Sequence, residues 1–193
     1  MAKQFYQKPW FWIVVIAVVL VVWFFGSYNR LVRLDTEAQK AWSDIEVQYQ
    51  RRFDLIPNLV STVKGYAGFE ERVITEVTEA RSRWQSAVGA GNTGEAIAAA
   101  RAADAGLARL IAVAENYPDL KASEAYLSLM DQLEGTENRI AVARERYNTA
   151  VTEYNFAIRR VPTNIVASIM GMNQPKPLFE AEKGAEKVVK VEV

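Results

Sequence analysis

Neither cysteine nor histidine occurs among the 193 residues. Their absence excludes disulfides, thiolate and imidazole metal ligands, Cys and His nucleophiles and the Ser-His-Asp relay, since each needs a group this chain does not carry. A surplus of either charge is also missing, with 23 Lys and Arg against 23 Asp and Glu. A general nucleic-acid binder gathers a basic excess on one face, so no nucleic-acid partner is expected. Strand signals are lacking as well: no stretch alternates convincingly with a period of two.

Half of the residues are apolar, but they are unevenly spread. Trp10 to Phe25, WFWIVVIAVVLVVWFF, is an unbroken run of sixteen apolar residues. As a helix it covers roughly 24 Å, near the lower limit of about 17 residues for a membrane span once Gly26 is added. Tyr6, Trp10 and Trp12 at one end and Trp23, Phe24, Phe25 and Tyr28 at the other form two aromatic belts, the arrangement that suits membrane interfaces. Lys3 and Lys8 resemble the start of a signal peptide, yet no small-residue cleavage site follows and bulky rings occupy the place where one would lie. An uncleaved anchor is therefore the better reading. Arg30, Arg33 and Lys40 follow the run closely, which tilts the positive-inside count toward a cytoplasmic C-terminal domain. The first 26 residues hold two bases and no acid, so the remainder has 21 bases against 23 acids, a mildly acidic soluble part.

Beyond the run the periodicity is helical. Leu31, Leu34, Ala38, Trp42, Ile45 and Tyr49, then Leu55, Ile56, Leu59 and Val63, recur at steps of three or four. Pro57 either kinks this helix or starts another. Val73, Ile74, Val77, Trp84 and Val88 resume the face, and Gly89 to Gly94 is a turn rich in residues that tolerate left-handed backbone. An alanine-rich helix should run from about Glu95 to Glu115, ending before Pro118. Ser123 is a plausible cap for a last helix reaching about Arg160. Its face, Met130, Leu133, Glu137, Ile140, Arg144, Tyr147, Val151, Tyr154 and Ile158, alternates three and four, the repeat of a coiled-coil seam.

These segments predict an all-α protein: a single N-terminal transmembrane helix, then an up-and-down antiparallel bundle of about four helices, then a short C-terminal amphipathic segment. The expected divisions are a flank at 1–9, the span at 10–26, the bundle at 27–160 and an interfacial or capping segment with a polar tail at 161–193. An even number of helices would bring the chain back toward the bilayer after Arg159 and Arg160. Ile165, Ile169 and Met170, beside that basic pair, then form a candidate membrane foot; sealing the end of the bundle is the competing reading.

Glu137 and Arg144 lie seven apart on the expected seam and need partners if buried. Arg51, Arg52, Asp54, Glu70 and Arg81 are the candidate partners in a polar layer that would fix helix register. A ferritin-like di-metal site requires Glu-x-x-His, which cannot be supplied, and no Asp-rich calcium loop or phosphate-cradling Gly-Lys-Ser/Thr loop occurs. No metal, cofactor or catalytic residue is expected. Tyr147-Asn148 and Tyr154-Asn155 repeat at seven residues. That flank suits either a second protein or, preferably, an intramolecular contact with Tyr28-Asn29.

Several motifs carry a family resemblance. They are Ala41-Trp42-Ser43-x-Ile45-x-Val47-Gln48, Arg51-Arg52-x-Asp54-Leu55-Ile56-Pro57-Asn58-Leu59-Val60, Glu115-Asn116-Tyr117-Pro118, and Leu133-Glu134-Gly135-Thr136-Glu137-Asn138-Arg139-Ile140, followed by the two Tyr-Asn steps. In this order they resemble the LemA family of bacterial membrane proteins. The resemblance implies one N-terminal span in the inner membrane, a helical bundle on the cytoplasmic side and no enzymatic activity. It also implies membrane metalloproteases or TPM-domain proteins as neighbours. Two functions follow as expectations: a membrane-anchored, self-associating scaffold that organises membrane, or an adaptor presenting its groove to another membrane protein. The expected partners are accordingly the lipid bilayer, further copies of the chain and a second membrane protein.

Overall fold

A computed structural model describes residues 9–64 and 71–179. Among these residues six helices follow in order: α1 (Pro9–Lys64), α2 (Glu71–Gly89), α3 (Thr93–Ala114), the single turn α4 (Pro118–Lys121), α5 (Glu124–Arg159) and α6 (Thr163–Ile169). No strand occurs among the described residues. The chain is an all-α helical bundle, as the periodicity predicts.

The apolar run and the first bundle helix are one element, since α1 continues through Gly26 and has Pro57 in its interior. One glycine in a helix costs about 1 kcal/mol, and no breaker accompanies Gly26. The proline costs about 3 kcal/mol or more, but Phe53, Ile56, Leu59 and Val63 are buried on either side of it. Burying each such side chain returns roughly 1.5–3 kcal/mol, which outweighs the penalty. Pro57 is thus neither a boundary nor a stop.

The chain divides into two compact units. Unit one comprises residues 1–40 and 149–176, and unit two comprises 41–148 and 177–193. In unit one, Leu31 and Leu34 of α1 pack with Tyr154, Ala157 and Ile158 of α5 and with Val166 and Ala167 of α6. Phe24, Tyr28 and Met172 close over this cluster. The apolar side chains from Ile13 to Val22 stay largely exposed on α1. By length and composition this helix can cross a membrane. After α6, Gly171 takes φ +69°. Its N–H donates to Ser168 and that of Met172 to Ala167, a Schellman ending that glycine permits without a Cβ penalty.

Unit two is built on an aromatic and alanine-rich core. Tyr49 and Trp84 lie 4.6 Å apart between ring centroids, with Phe53 and Trp42 beside Trp84. A second Schellman ending closes α2: Gly91 has φ +67° and the Asn92 N–H reaches the Ala87 carbonyl. Asn92 then caps α3, its side-chain oxygen accepting from the Glu95 N–H at 3.1 Å. Ser123 accepts from the Tyr126 N–H at 3.3 Å, the corresponding cap for α5. Ala96, Ala99, Ala100 and Ala103 are buried along α3, so α2 and α3 approach closely. At Gly106 an added Cβ would lie 2.9 Å from Cγ2 of Val77.

Two glycine-to-alanine changes should therefore have opposite signs. Gly135, also in a helix, has open space where a Cβ would stand, so Gly135→Ala should stabilise by about 0.5–1 kcal/mol. Gly106→Ala gains the same propensity but overpacks against a rigid Val77, and should lose about 1 kcal/mol net. Urea unfolding of the detergent-solubilised chain measures both; stabilisation by Gly106→Ala would refute the close approach of α2 and α3.

Candidate functional site

The polar layer lies in unit two and is assembled from α1, α3 and α5. Arg52 is 3% exposed. Its three guanidinium nitrogens all find partners: Asp104 at 2.7 Å, the Thr136 hydroxyl at 3.3 Å, and Glu137. Thr136 in turn donates to the Leu133 carbonyl at 2.8 Å. Arg144 donates to Asp104 and to the Tyr49 oxygen, while the Tyr49 hydroxyl donates to Asp104 at 3.0 Å. The two guanidinium and two carboxylate groups balance in charge. Burial raises the Tyr49 pKa, Asp104 adds to the rise and Arg144 opposes it, so the phenol keeps its proton and serves as a donor. Burial alone would lower the Arg144 pKa, but Tyr49 and Asp104 beside it raise it above its ordinary value. Arg144 also stands over the rings of Tyr49 and Phe179, at 5.5 and 5.0 Å, a cation–π arrangement on two sides.

Membership of the layer differs from the sequence expectation. Arg51 and Asp54 are exposed on α1, and Asp54 accepts from Gln50 one turn earlier at 2.7 Å. Glu70 lies outside the described residues. Glu137 and Arg144 do not occupy the buried seam of α5. Thr136 and Ala143 do, in line with Tyr126, Leu129, Leu133, Ile140 and Tyr147. These small side chains leave room for the guanidinium and phenol heads, and Glu137, with a side chain 56% exposed, reaches in from the flank. The hub, Asp104, escaped the sequence reading. Its signal was available: Asp104 is the single carboxylate between Glu95 and Glu115, in a stretch that is small or apolar apart from Arg101 and Arg109. Beside the layer opens a cavity of ≈ 380 Å³, walled by Leu107, Ile111, Met130 and Leu133 with Arg52 and Glu137 at its polar end. Among the described residues no cluster of acids is arranged to hold a metal ion.

The repeated Tyr-Asn steps hold the C-terminal segment. In unit two, the Asn148 amide donates to the Phe179 carbonyl at 2.8 Å and accepts from its N–H at 2.9 Å, while the Tyr147 hydroxyl donates to the Pro177 carbonyl at 2.9 Å. Burial pushes the Tyr147 pKa up to about 12. In unit one, Asn155 makes the same pair of bonds with Lys176, at 2.9 and 2.8 Å, and Tyr154 donates to the Met172 carbonyl at 2.9 Å. Each carboxamide imitates one rung of a β-ladder. The spacing has a simple origin: seven helical residues rise ~10.5 Å and three extended residues cover ~10 Å. Of the expected contact with Tyr28-Asn29, Tyr28 packs against the cluster that holds Tyr154, while the hydrogen-bond partners of both steps are residues 172–179, whose backbone supplies the complementary donors and acceptors. Lys176 adds an ion pair to Asp35 at 2.8 Å and lies 5.1 Å from the Tyr154 ring.

The remaining sequence candidates fall in unit one. Trp10, Trp12, Trp23 and Phe25 are exposed on α1, whereas Phe24 and Tyr28 turn toward the core. Arg159 and Arg160 are exposed at the end of α5. Ile165, Ile169 and Met170 are exposed on and just after α6.

The fold and site define an all-α bundle whose helices are pinned by a buried arginine–carboxylate layer and whose C-terminal segment is clamped by repeated Tyr-Asn pairs. A family model for the LemA family matches residues 41–193, and the chain belongs to that family. It is 30% identical over 204 residues to Magnetosome protein MamQ 2 of Paramagnetospirillum magneticum, covering 92% of this chain and 75% of the relative. Magnetosome protein MamQ of Magnetospirillum gryphiswaldense is 29% identical over 185 residues, covering 84% and 68%. Protein LemA of Metamycoplasma hominis is 29% identical over 163 residues, covering 83% and 74%.

Two substitutions separate the roles within the layer. Asp104→Asn leaves two guanidinium groups short of a counter-charge and should cost about 3 kcal/mol or more. Glu137→Gln, on a solvated flank, should cost less than about 1 kcal/mol. Equal losses in urea unfolding would remove Asp104 as the hub. For the clamp, Asn155→Ala deletes two hydrogen bonds worth about 1 kcal/mol each. The Lys176 amide should then exchange at least about tenfold faster, with no change for the exposed Thr152→Ala. Unaltered exchange would show that the clamp does not hold the segment.

Proposed function

We propose that this LemA-family protein is a single-pass, membrane-anchored bundle without enzymatic activity whose copies associate to organise membrane. One observation carries the reading. Within unit one the exposed apolar run and the packed residues Leu31 and Leu34 belong to the same unbroken helix, so the anchor is a stiff extension of folded protein. A flexible tether would decouple the two, but a continuous helix makes lateral contacts in the bilayer orient the folded part. The polar side chains of the layer are engaged with one another. The names of the magnetosome relatives support a membrane address. The basic residues following the run support an orientation with the bundle on the cytoplasmic side of the inner membrane.

A second reading rests on the apolar cavity beside Arg52 and Glu137. It makes the protein an adaptor that receives a segment of another membrane protein there.

Mass photometry of the full chain extracted in mild detergent distinguishes the two. A uniform homo-oligomer is expected; a monomer that co-purifies with a second protein would favour the adaptor. A reporter active only in the cytoplasm, fused after Val193, should be active, and silence would overturn the orientation.

A further inference from the structure

We propose that α6 is an interfacial foot that lies in the headgroup layer of an anionic bilayer, beside the point where α1 leaves it. The inference rests on the anchor proposed above and names a lipid surface as a second, separate contact.

The placement comes from packing inside unit one. The buried side of α6, Val166 and Ala167, shares a cluster with Leu31 and Leu34, and Phe24, Tyr28 and Met172 pack against it. Phe24 and Tyr28 belong to the aromatic belt that ends the apolar run. Rings of this kind settle at the headgroup level, so whatever packs on them shares that depth. The opposite side of α6 is apolar and uncovered: Ile165 is 55% and Ile169 65% exposed. These two are four apart and share one face. Val161 before the helix and Met170 after it extend the exposed apolar surface.

Charge selects the lipid. From Tyr154 to Phe179 the chain holds Arg159, Arg160 and Lys176 and no acid at all. Lys176 is committed to Asp35, whereas Arg159 and Arg160 are exposed and form no ion pair with a described residue. Two bases beside an apolar face, with no acid on the element to repel phosphate, match an anionic headgroup layer. The short span adds a reason for the contact. A run of roughly 24 Å is less than a hydrocarbon core of about 30 Å, and apolar side chains inserted at one interface match a bilayer thinned around the anchor.

The absence of cysteine makes the test direct, because any introduced cysteine is the sole thiol. Single variants Ile169→Cys, Ile165→Cys and, within the span, Val18→Cys are labelled with a small fluorophore. The full chain is reconstituted in phosphatidylcholine vesicles containing phosphatidylglycerol. Quenching is read with lipids brominated near the headgroup, with lipids brominated near the acyl terminus, and with aqueous iodide. Labels at 169 and 165 should be quenched most by the shallow bromines and little by iodide, while the label at 18 answers to the deep bromines. Quenching at 169 and 165 by iodide alone, with 18 in lipid, would overturn the foot and leave the anchor standing. Protection of 169 and 165 from every quencher would assign the face to a protein contact and likewise overturn it. A label at 18 that no bromolipid reaches would overturn the anchor and the foot with it.

Discussion

Asp104 accepts from Arg52, Arg144 and Tyr49, donors carried on α1 and α5. One carboxylate on α3 therefore ties three helices of unit two. A buried guanidinium is tolerated only where its nitrogens are engaged and a counter-charge is near, since the effective desolvation penalty is several kcal/mol. Arg52 meets that condition with Asp104, Thr136 and Glu137. Sliding α3 by a turn would strand both arginines, and sliding α1 or α5 would strand the one it carries, whereas the apolar neighbours Leu107 and Leu110 would find new contacts of similar worth. The layer thus discriminates between registers that hydrophobic packing alone would leave close in energy.

Small residues make room for this arrangement. Gly106 and the alanines of α3 let α2 approach, and Thr136 and Ala143 on the α5 seam leave space for large polar heads from α1 and α3. The same economy governs the C-terminal segment. Residues 172–179 follow no helix or strand, yet their backbone is hydrogen-bonded to Asn148, Asn155, Tyr147 and Tyr154. The side chains of one helix stand in for a neighbouring strand, and the seven-residue period of the helix agrees with a three-residue period in the extended chain. Phe179 ends the described segment against Trp42, Tyr147 and Arg144, so the clamp leads directly to the edge of the polar layer.

The sixteen-residue apolar run, the helical periods, the turn around Gly91 and the Ser123 cap were legible because each depends on residues within a few positions of one another. Hydrophobic spacing at three and four specifies a helix locally, and a glycine or asparagine at a helix end acts on the nearest turn. By contrast, a new helix starting at Pro57 was one of two local readings, and long-range burial of Phe53, Ile56, Leu59 and Val63 decided against it. The seam of α5 was legible to within one residue. A pattern of 130, 133, 137, 140 and 144 differs from the observed 129, 133, 136, 140 and 143 by a small rotation of the helix, and only the facing helices decide that rotation.

By itself, then, the sequence determined the all-α class, the uncoupled chemistry of a chain without Cys or His, the apolar run and the family. The tertiary structure alone decided which charges meet. Arg51 and Arg52 are adjacent and chemically identical, yet one is in solvent and the other is among the most buried polar groups described. The partner that distinguishes them, Asp104, is 52 residues from Arg52. Local pattern carries a helix's period but not its angle about its own axis, and that angle determines which side chains can pair.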